Sequence, residues 1–519
     1  MALTVRRGEV LAALSIATDL AMGQPVEFAL KSCVLGVRLG QALGVTVEEL
    51  RETYYEALLR YIGCNAETYV VAALFGDEME MRRDLAAIDR SSIFQRSGVI
   101  LRAAQRAHPG MGLAAIPQTL KLFARARSTA LPIIAGHCEV AERIALRLGL
   151  GPRAAANLGQ FYERWDGLGL PRGLEGEAIE RPVRIVALAQ DLVLLAAAYG
   201  AENALVIIKK RRGRAYDPQL VDFLVAHQRE LLLQVEEQPT WDTVLGLELD
   251  SQKPLSEAEF DEACCIFADF TDLKTPFTAG HSRTVAGLAE AAGRHCGMPD
   301  ADLAMLRRAA YVHDLGDAVV PTAIWIKPGA LTASEREQVR LHAYYTERIL
   351  AQSPALASIG HLASLHHERL DGTGYHRGVA AQNLSRAARI LAAAEAYQTK
   401  IEARPHREPL PPEAAASFLK DEMRAGRIDS EAGAAILAVA GHRACGARRQ
   451  LVADLTAREL EVLRLIARGQ SNKQVGRFLG ISAKTAGNHI QNLYGKIDVS
   501  TRAGATLFAI EHGLLTPGG

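Results

Sequence analysis

Seven side chains between residues 281 and 395 have the types and spacing of a metal site. They are five histidines and two carboxylates: His281, His313, Asp314, His342, His366, His367 and Glu395. A single histidine in apolar helical sequence is more often a hydrogen-bonded core residue than a ligand. Clustered imidazoles and carboxylates on neighbouring helices can instead satisfy one another by holding metal, since an unpaired buried polar group is costly. Nitrogen and oxygen donors of this kind suit Fe, Mn or Zn rather than Mg or Ca.

The pair His313-Asp314 could perform chemistry as well as bind metal. It ends a helical run just before Gly316, and the pair His366-His367 repeats the arrangement at another helix end. An aspartate in that position can bridge two ions while the histidine binds one of them. Two ions about 3.5–4 Å apart can lower the pKa of a shared water and hold a phosphodiester for in-line attack. We therefore assign catalytic roles to Asp314 and His313.

The elements that position these residues are predicted to be helices almost throughout. Apolar residues recur three and four apart, as in 285–297, and there is almost no alternation with β-branched residues. Lys and Arg total 59, as do Asp and Glu, so DNA binding would need a local basic face. The seven cysteines form no CxxC pair, which fits a reducing cytoplasm. No run approaches the roughly 18–20 apolar residues of a membrane span, so we expect no membrane association.

An internal repeat organises the chain before residue 440. An offset of 205 pairs His342 with His137 and continues without a gap through a run of polar and glycine matches. Upstream, an offset of 253 pairs Gly316 with Gly63. The difference of 48 residues predicts an insertion in the first copy, roughly within 65–130.

The first copy lacks the metal ligands. By the two offsets, the seven positions hold Phe28, Arg60, Tyr61, His137, Phe161, Tyr162 and Gln190. Only the position of His342 keeps an imidazole. We expect a degenerate domain that binds no metal and serves as a dimerisation platform or a ligand sensor.

The second copy resembles a known family in five blocks that occur in the family's order. They are "GHSRTVA" (280–286), "HDLGD" (313–317), "LHAYYTERIL" (341–350), "HHERLDGTGY" (366–375) and "ARILAAAEAY" (388–397). Over roughly 255–440 the chain resembles the HD-GYP branch of the HD metal-dependent phosphohydrolases. The resemblance implies an all-helical domain with two or three Fe or Mn ions that hydrolyses cyclic di-GMP. It also implies that the seven side chains above are the ligands, with Glu395 in place of the usual Asp.

The loop after His367 is predicted to lie beside the metal and to contact substrate. Gly374 and Tyr375 belong to the turn "DGTGY", and the guanidinium of Arg377 could meet a phosphate. The alternatives to these substrate contacts are a purely turn-forming role for the glycines and a surface salt bridge for Arg377.

Three further positions depart from the family pattern. Asp317 replaces a lysine, which removes a cation near the scissile phosphate, and His376 replaces the proline of the GYP motif. Proline stiffens a turn by fixing φ, whereas histidine does not. Phe277 stands where a carboxylate is often found, which favours two ions over three.

The C-terminal segment 455–505 divides into helices at its own capping signals. Thr456 and Glu459 form a capping box, Gly480 ends a helix, and Ser482 caps the next. Two helices joined by a short turn predict a helix-turn-helix, whose second helix recognises DNA.

Residues 453–515 resemble the LuxR-type DNA-binding domain in the pattern from "LTARELEVLRLIARGQSN" to "KIDVSTR". The resemblance implies that the major groove or its phosphates are contacted by Lys484, Thr485, Asn488, His489 and Asn492. Phosphate contacts that hold the register are implied for Lys473, Arg477 and Lys496. It also implies binding to double-stranded DNA as a homodimer, paired through the last helix, 501–515.

Together these patterns predict an all-α protein of three domains. Two tandem HD-superfamily domains, degenerate in 1–238 and metal-binding in 239–445, precede a four-helix LuxR-type helix-turn-helix domain in 446–519. We expect a cytoplasmic bacterial regulator whose middle domain uses two Fe or Mn ions to hydrolyse a phosphodiester, most plausibly cyclic di-GMP. The alternative is a non-catalytic HD-GYP-derived nucleotide or ligand sensor that controls DNA binding.

Overall fold

The fold was examined in a computed structural model of the chain. It describes residues 4–86, 88, 97–99, 101–103, 126–230, 241–250, 253–443 and 455–515. These residues form α-helices and short 3-10 helices, and their only β-type pairings are isolated bridges. The all-α prediction is therefore confirmed.

The chain divides into two compact units, Thr4–Ser256 and a second that begins at Glu257. The α-helices of the first unit are Arg7–Ala21, Phe28–Ala42, Val47–Leu59, Thr68–Phe75, Glu78–Ala86, Ala126–Arg147, Pro152–Leu158, Arg181–Tyr199, Ala201–Lys210, Pro218–Ala226 and Trp241–Gly246. Its 3-10 helices are Ile62–Asn65 and Gly176–Ala178.

The second unit contains the predicted metal ligands and the C-terminal helices. Its α-helices are Glu257–Asp272, His281–His295, Asp300–Val312, Thr322–Trp325, Ala333–Arg340, His342–Leu350, Pro354–Ala363, Arg386–Ile401, Pro412–Arg424, Ser430–Arg443, Ala457–Ala467, Asn472–Leu479, Ala483–Lys496 and Arg502–Glu511. Its 3-10 helices are Leu315–Val319 and Ala381–Asn383.

The predicted boundary at 238/239 falls among residues outside the described ranges, and the residues after it belong with the first unit. The Glu248 carboxylate accepts a hydrogen bond from the Gly8 amide at 2.8 Å, and the Leu255 amide donates to the Val5 carbonyl at 2.8 Å. These bonds join Glu248 and Leu255 to Gly8 and Val5, at and just before the first described helix, a pairing that local composition does not reveal. The boundary at 445/446 also lies outside the described residues, as do residues 87, 89–96, 100 and 104–125 of the predicted insertion.

The two copies share a close backbone contact that requires glycine. A Cβ atom on Gly316 would lie 1.9 Å from the His342 carbonyl oxygen, and one on Gly63 would lie 1.9 Å from that of His137. One contact therefore joins residues related by the offset of 253 (the glycines) to residues related by the offset of 205 (the histidines). In each copy it packs the helix that carries the histidine against the 3-10 helix that carries the glycine.

We expect Gly316→Ala to destabilise the second unit by about 1–3 kcal/mol or more, because the added methyl must displace backbone rather than a flexible side chain. Thermal unfolding of the full chain would measure the loss. Gly329→Ala is the matched control, since a Cβ there meets no atom within 4 Å. Equal unfolding temperatures for the two variants would contradict the close contact.

One described helix, Arg181–Tyr199, is long and apolar enough to cross a membrane, by length and composition alone. The expectation that no run approaches this length was wrong for this segment. The helix packs against Phe28–Ala42 and Val47–Leu59 and buries Ile185 and Leu192 in a hydrophobic core. It serves as a core helix of the first unit.

The C-terminal helices begin and end where their capping signals predict. Thr456 and Ser471 close capping boxes with Glu459 and Gln474, and the Ser482 side chain accepts from the amide of Thr485. Local side-chain chemistry alone is sufficient for these boundaries, because each cap satisfies amides that the helix leaves unpaired.

Candidate metal centre and nucleic-acid interface

Helix ends bring the predicted ligands together. His281 and His342 are the first residues of their helices, while His313 and His366 closely follow the ends of theirs. Glu395 projects from the middle of a long helix, and its side chain is buried. Because four separate helix ends meet here, residues far apart in sequence converge on one buried point.

Asp314 lies between two groups of histidines. Its Oδ2 atom is 3.4 Å from His281 Nε2 and 3.3 Å from His313 Nε2. Its Oδ1 atom is 3.5 Å from His342 Nε2 and 3.4 Å from His366 Nε2. Each carboxylate oxygen thus faces a different pair of imidazoles, which is the arrangement of a bridging ligand.

We call the group around Oδ2 the first half-site; it consists of His281, His313, Glu395 and Asp314. Glu395 Oε2 lies 3.0 Å from His281 Nε2 and 3.3 Å from His313 Nε2. These three atoms are buried and have no hydrogen-bond partner among the described residues. Buried nitrogen and oxygen atoms that converge without forming hydrogen bonds are suited to bind a metal ion.

The second half-site consists of His342, His366, His367 and Oδ1 of Asp314. The three histidines offer nitrogens within 4.8 Å of one another, and His342 Nε2 is 2.9 Å from His366 Nε2. Burial lowers the pKa values of all three imidazoles, which keeps them in the neutral form that binds metal.

The surroundings of Asp314 favour its ionised form. Burial raises the pKa of Asp314, but the charge of His313 and the neighbouring imidazoles of His281 and His366 outweigh it and hold the pKa well below the usual value. An ionised aspartate can give one oxygen to each half-site.

The first copy fills the equivalent space with its own side chains. The Arg60 guanidinium donates to the Gln190 side-chain oxygen, and its carbon lies 5.3 Å from the ring centroids of both Tyr61 and Phe161. Arg60 replaces His313, and the rings replace Asp314 and His366. The Arg60 guanidinium and two aromatic rings of the first copy thus occupy sequence positions that hold candidate metal ligands in the second copy.

A cavity of about 490 Å³ opens beside the second half-site. His366, His367 and Glu395 line it, together with the predicted substrate residues Gly374 and Tyr375. Sequence reasoning missed its cationic side chains and one of its aromatic faces, which are supplied by Arg340, Arg369, Lys400 and Phe418. No motif marks these residues, because three separate helices and a loop supply them.

Arg377 does not line this cavity. Its guanidinium pairs with Glu347, and its side chain is 45% exposed. The salt bridge that the sequence left open is therefore the contact seen in this structure.

The loop keeps the same internal support in both copies despite the GYH sequence. Glu368 accepts hydrogen bonds from the amides of Arg377 and Val379 at 2.8 and 2.9 Å. In the first copy, Glu163 accepts from those of Arg172 and Leu174 at 2.8 and 2.9 Å. A buried carboxylate under the turn therefore holds its shape where His376 replaces proline.

Asp317 is buried beside the second half-site, with Oδ1 3.9 Å from His342 Nδ1. Burial and the charge of Asp314 raise the pKa of Asp317 well above its usual value. The Lys274 ammonium donates to the carbonyls of Asp317 and Ala318 at 2.9 and 3.0 Å. A cation therefore remains in this region, but it is engaged with backbone oxygens.

Glu402 is another residue that the sequence did not reveal. Its Oε2 atom lies 2.8 Å from His281 Nδ1. It follows Glu395 by seven residues, two turns further along the same helical direction. That spacing is the signal that could have identified it.

All the predicted DNA-contacting residues are exposed to solvent. They are Lys473, Arg477, Lys484, Thr485, Asn488, His489, Asn492 and Lys496. The helix Ala483–Lys496, which we call the recognition helix, buries Ala486, Ile490 and Leu493 on its opposite side. This division leaves its polar face available to a groove.

An ion pair of Lys496 and the burial of the last helix bear on the expected phosphate and dimer contacts. Lys496 Nζ lies 2.7 Å from Glu459 Oε1, so a phosphate would have to compete with this ion pair. In the last helix, Leu507 and Ile510 are 0% and 2% exposed within the single chain. The apolar side of the proposed pairing helix is thus covered in this arrangement.

Two families match the chain. The HD domain family matches residues 98–220 and again 266–432. The family of bacterial regulatory proteins called luxR matches residues 453–509. The first match covers both copies of the repeat, and the second covers the helix-turn-helix.

Curated relatives and a solved structure are similar to parts of this chain. The 3'3'-cGAMP-specific phosphodiesterase 3 of Vibrio cholerae is 30% identical over 446 residues, which cover 82% of this chain and 93% of that protein. A cyclic di-GMP phosphodiesterase of Thermotoga maritima is 31% identical over 167 residues, 32% of this chain and 44% of that protein. The crystal structure of a cyclic GMP-AMP-specific phosphodiesterase of V. cholerae superposes with a TM-score of 0.58 at 26% identity, covering 84% of this chain and 98% of that one.

Proposed function

Because the chain belongs to the HD-GYP branch of the HD domain family and ends in a luxR-family domain, we propose that it is a bacterial regulator that hydrolyses a cyclic dinucleotide and binds DNA. The supporting observation is the position of Asp314, whose two oxygens each face a separate pair of histidine nitrogens. Asp314 could therefore give one oxygen to a metal ion in each half-site.

We propose one Fe or Mn ion for each half-site, with Asp314 shared between them. When bound, such ions supply Lewis-acid charge to a phosphodiester and make a nearby water acidic enough to attack it. Asp314 and His313, just before the 3-10 helix Leu315–Val319, would bind the ion of the first half-site. His342 and His366 would bind the ion of the second.

The cavity beside the second half-site suits an anionic molecule with flat bases. Arg340 lies 5.1 Å from the Tyr375 ring centroid, and Lys400 lies 4.3 Å from that of Phe418. Cations of this kind can neutralise a second phosphate, while the rings offer faces to a base. We infer a cyclic dinucleotide, and the relatives name 3'3'-cGAMP and cyclic di-GMP as the two substrates to compare.

The first copy is proposed to bind no metal, because the Arg60 guanidinium lies among the replaced ligand positions. We propose that the whole protein works in the cytoplasm as a homodimer on double-stranded DNA. The luxR-family match supports the DNA partner, and the exposed face of the recognition helix supports the mode of contact.

Purified full-length protein, loaded with Mn or Fe, is expected to open 3'3'-cGAMP or cyclic di-GMP to linear products. Chromatography of the nucleotides would measure the reaction, and elemental analysis would count the ions. A chelated sample is the control. Metal-loaded protein that leaves both nucleotides and bis-p-nitrophenyl phosphate intact would exclude the hydrolase.

The alternative is a non-catalytic sensor that controls the DNA-binding domain. The presence of Asp317 favours it, because no lysine side chain from that position can meet the phosphate. Calorimetry with intact nucleotide distinguishes the two functions. Tight binding without turnover would support the sensor, and the absence of binding would exclude it for that nucleotide.

A further inference from the structure

Three of the metal-facing histidines hydrogen-bond to backbone through Nδ1. His313 donates to the Ala310 carbonyl at 2.7 Å, and His366 donates to that of Ala363 at 2.7 Å. His342 uses Val339 in the same way at 2.5 Å. Each acceptor is the carbonyl three residues earlier, at the end of the preceding helix. With Nδ1 engaged by a carbonyl, Nε2 is the nitrogen of each ring that faces the other candidate ligands.

His281 is held differently. It begins its helix, and the preceding residues form a turn rather than a helix that could offer a carbonyl. Its Nδ1 atom instead lies 2.8 Å from the Oε2 atom of Glu402. Among these four imidazoles, His281 is the one whose Nδ1 has a carboxylate oxygen within hydrogen-bond distance, since the Asp317 oxygen near His342 Nδ1 is 3.9 Å away.

Glu402 is itself fixed in place. The Gln398 amide donates to its Oε1 atom at 2.7 Å, and the Arg404 guanidinium donates to its Oε2 atom at 3.2 Å. Its side chain is 13% exposed. The helix that carries Glu395 ends at Ile401, directly before Glu402, so one element supplies both the ligand and the carboxylate behind His281.

We propose that Glu402 is a positioning residue that makes the first half-site the tighter of the two metal sites. This inference rests on the proposed function. The first half-site combines Asp314 and Glu395 with a histidine whose basicity a carboxylate increases, whereas the second combines three imidazoles with the shared Asp314. A carboxylate behind a metal-bound histidine typically contributes about 10–100-fold to metal affinity.

The test is metal release from the full chain with Glu402→Gln, and Glu408→Gln is the matched control at an exposed position. Mn-loaded proteins are titrated with a competing chelator, and bound Mn is followed by elemental analysis and by electron paramagnetic resonance. The wild type and the control should release two ions in two steps. Glu402→Gln should weaken the tighter step about 10–100-fold and leave the other step unchanged.

The outcomes separate this inference from the proposed function. Wild-type protein that binds no metal would overturn the proposed function. Two ions bound by Glu402→Gln as in the wild type would overturn only the role of Glu402. Should Glu402→Gln fail to fold, Gln398→Leu tests the same contact, because it removes the hydrogen bond that orients Glu402. A weaker first ion in Gln398→Leu supports the inference, and unchanged release overturns it.

Discussion

Asp314→Asn is expected to lower the hydrolysis of the preferred cyclic dinucleotide by about 10³-fold or more, because metal ions supply several kcal/mol of transition-state stabilisation. Asparagine keeps the size of the side chain but removes its charge and one of its two oxygens. Since each oxygen of Asp314 faces a different pair of histidines, one oxygen cannot serve both half-sites. Initial rates at saturating substrate, together with metal content, would measure the effect.

Asp421→Asn is the matched control for this experiment. Its carboxylate is 60% exposed and pairs with Arg424 on the surface of the same unit, so its rate and metal content should equal those of the wild type. If Asp314→Asn retained both ions and the full rate, Asp314 would not be the bridging ligand.

Asn488→Ala should weaken binding to the preferred DNA sites by about 10- to 100-fold, since a bidentate contact to a base contributes about 1–3 kcal/mol. Asn488 lies on the exposed face of the recognition helix, next to Lys484 and Asn492. Lys484→Ala should instead weaken all sequences to a similar degree and reduce the dependence on salt, as expected for a phosphate contact. Gel shifts at several salt concentrations, with genomic fragments selected by the wild type, would measure both effects.

The control for charge is Arg424→Ala, which removes an exposed cation outside the luxR-family domain. It should leave the binding curves unchanged. Equal affinity of Asn488→Ala and wild type for every selected fragment would mean that another face of the domain contacts the bases.

Local chemistry explains why much of the C-terminal domain was predictable. The caps at Thr456, Ser471 and Ser482 depend on residues within three positions of each other, so the sequence carries the whole signal. The repeat was equally readable, because its glycines and acidic residues stabilise the same turns in both copies. Gly316 and Gly63 meet the same carbonyl contact, and Glu368 and Glu163 support the same loop.

Contacts between distant segments were not readable from the same patterns. Glu402 behind His281, Arg340 and Lys400 in the cavity, and the hydrogen bond from Gly8 to Glu248 all depend on helix packing. Arg377 shows that a motif can also suggest a contact that the structure does not contain. Its position beside the site suggested a phosphate contact, but its guanidinium pairs with Glu347.

The sequence by itself determined the helical class, the repeated architecture, the helix caps and the seven residues that could bind metal. Those features depend on residue type and on spacing within short segments of the sequence. Only the tertiary structure decided that Asp314 faces both half-sites, that Arg60 fills the first-copy site and that a carboxylate stands behind His281. The physical reason is that each of these depends on which helix ends meet in space, and such contacts leave no periodic trace along the chain.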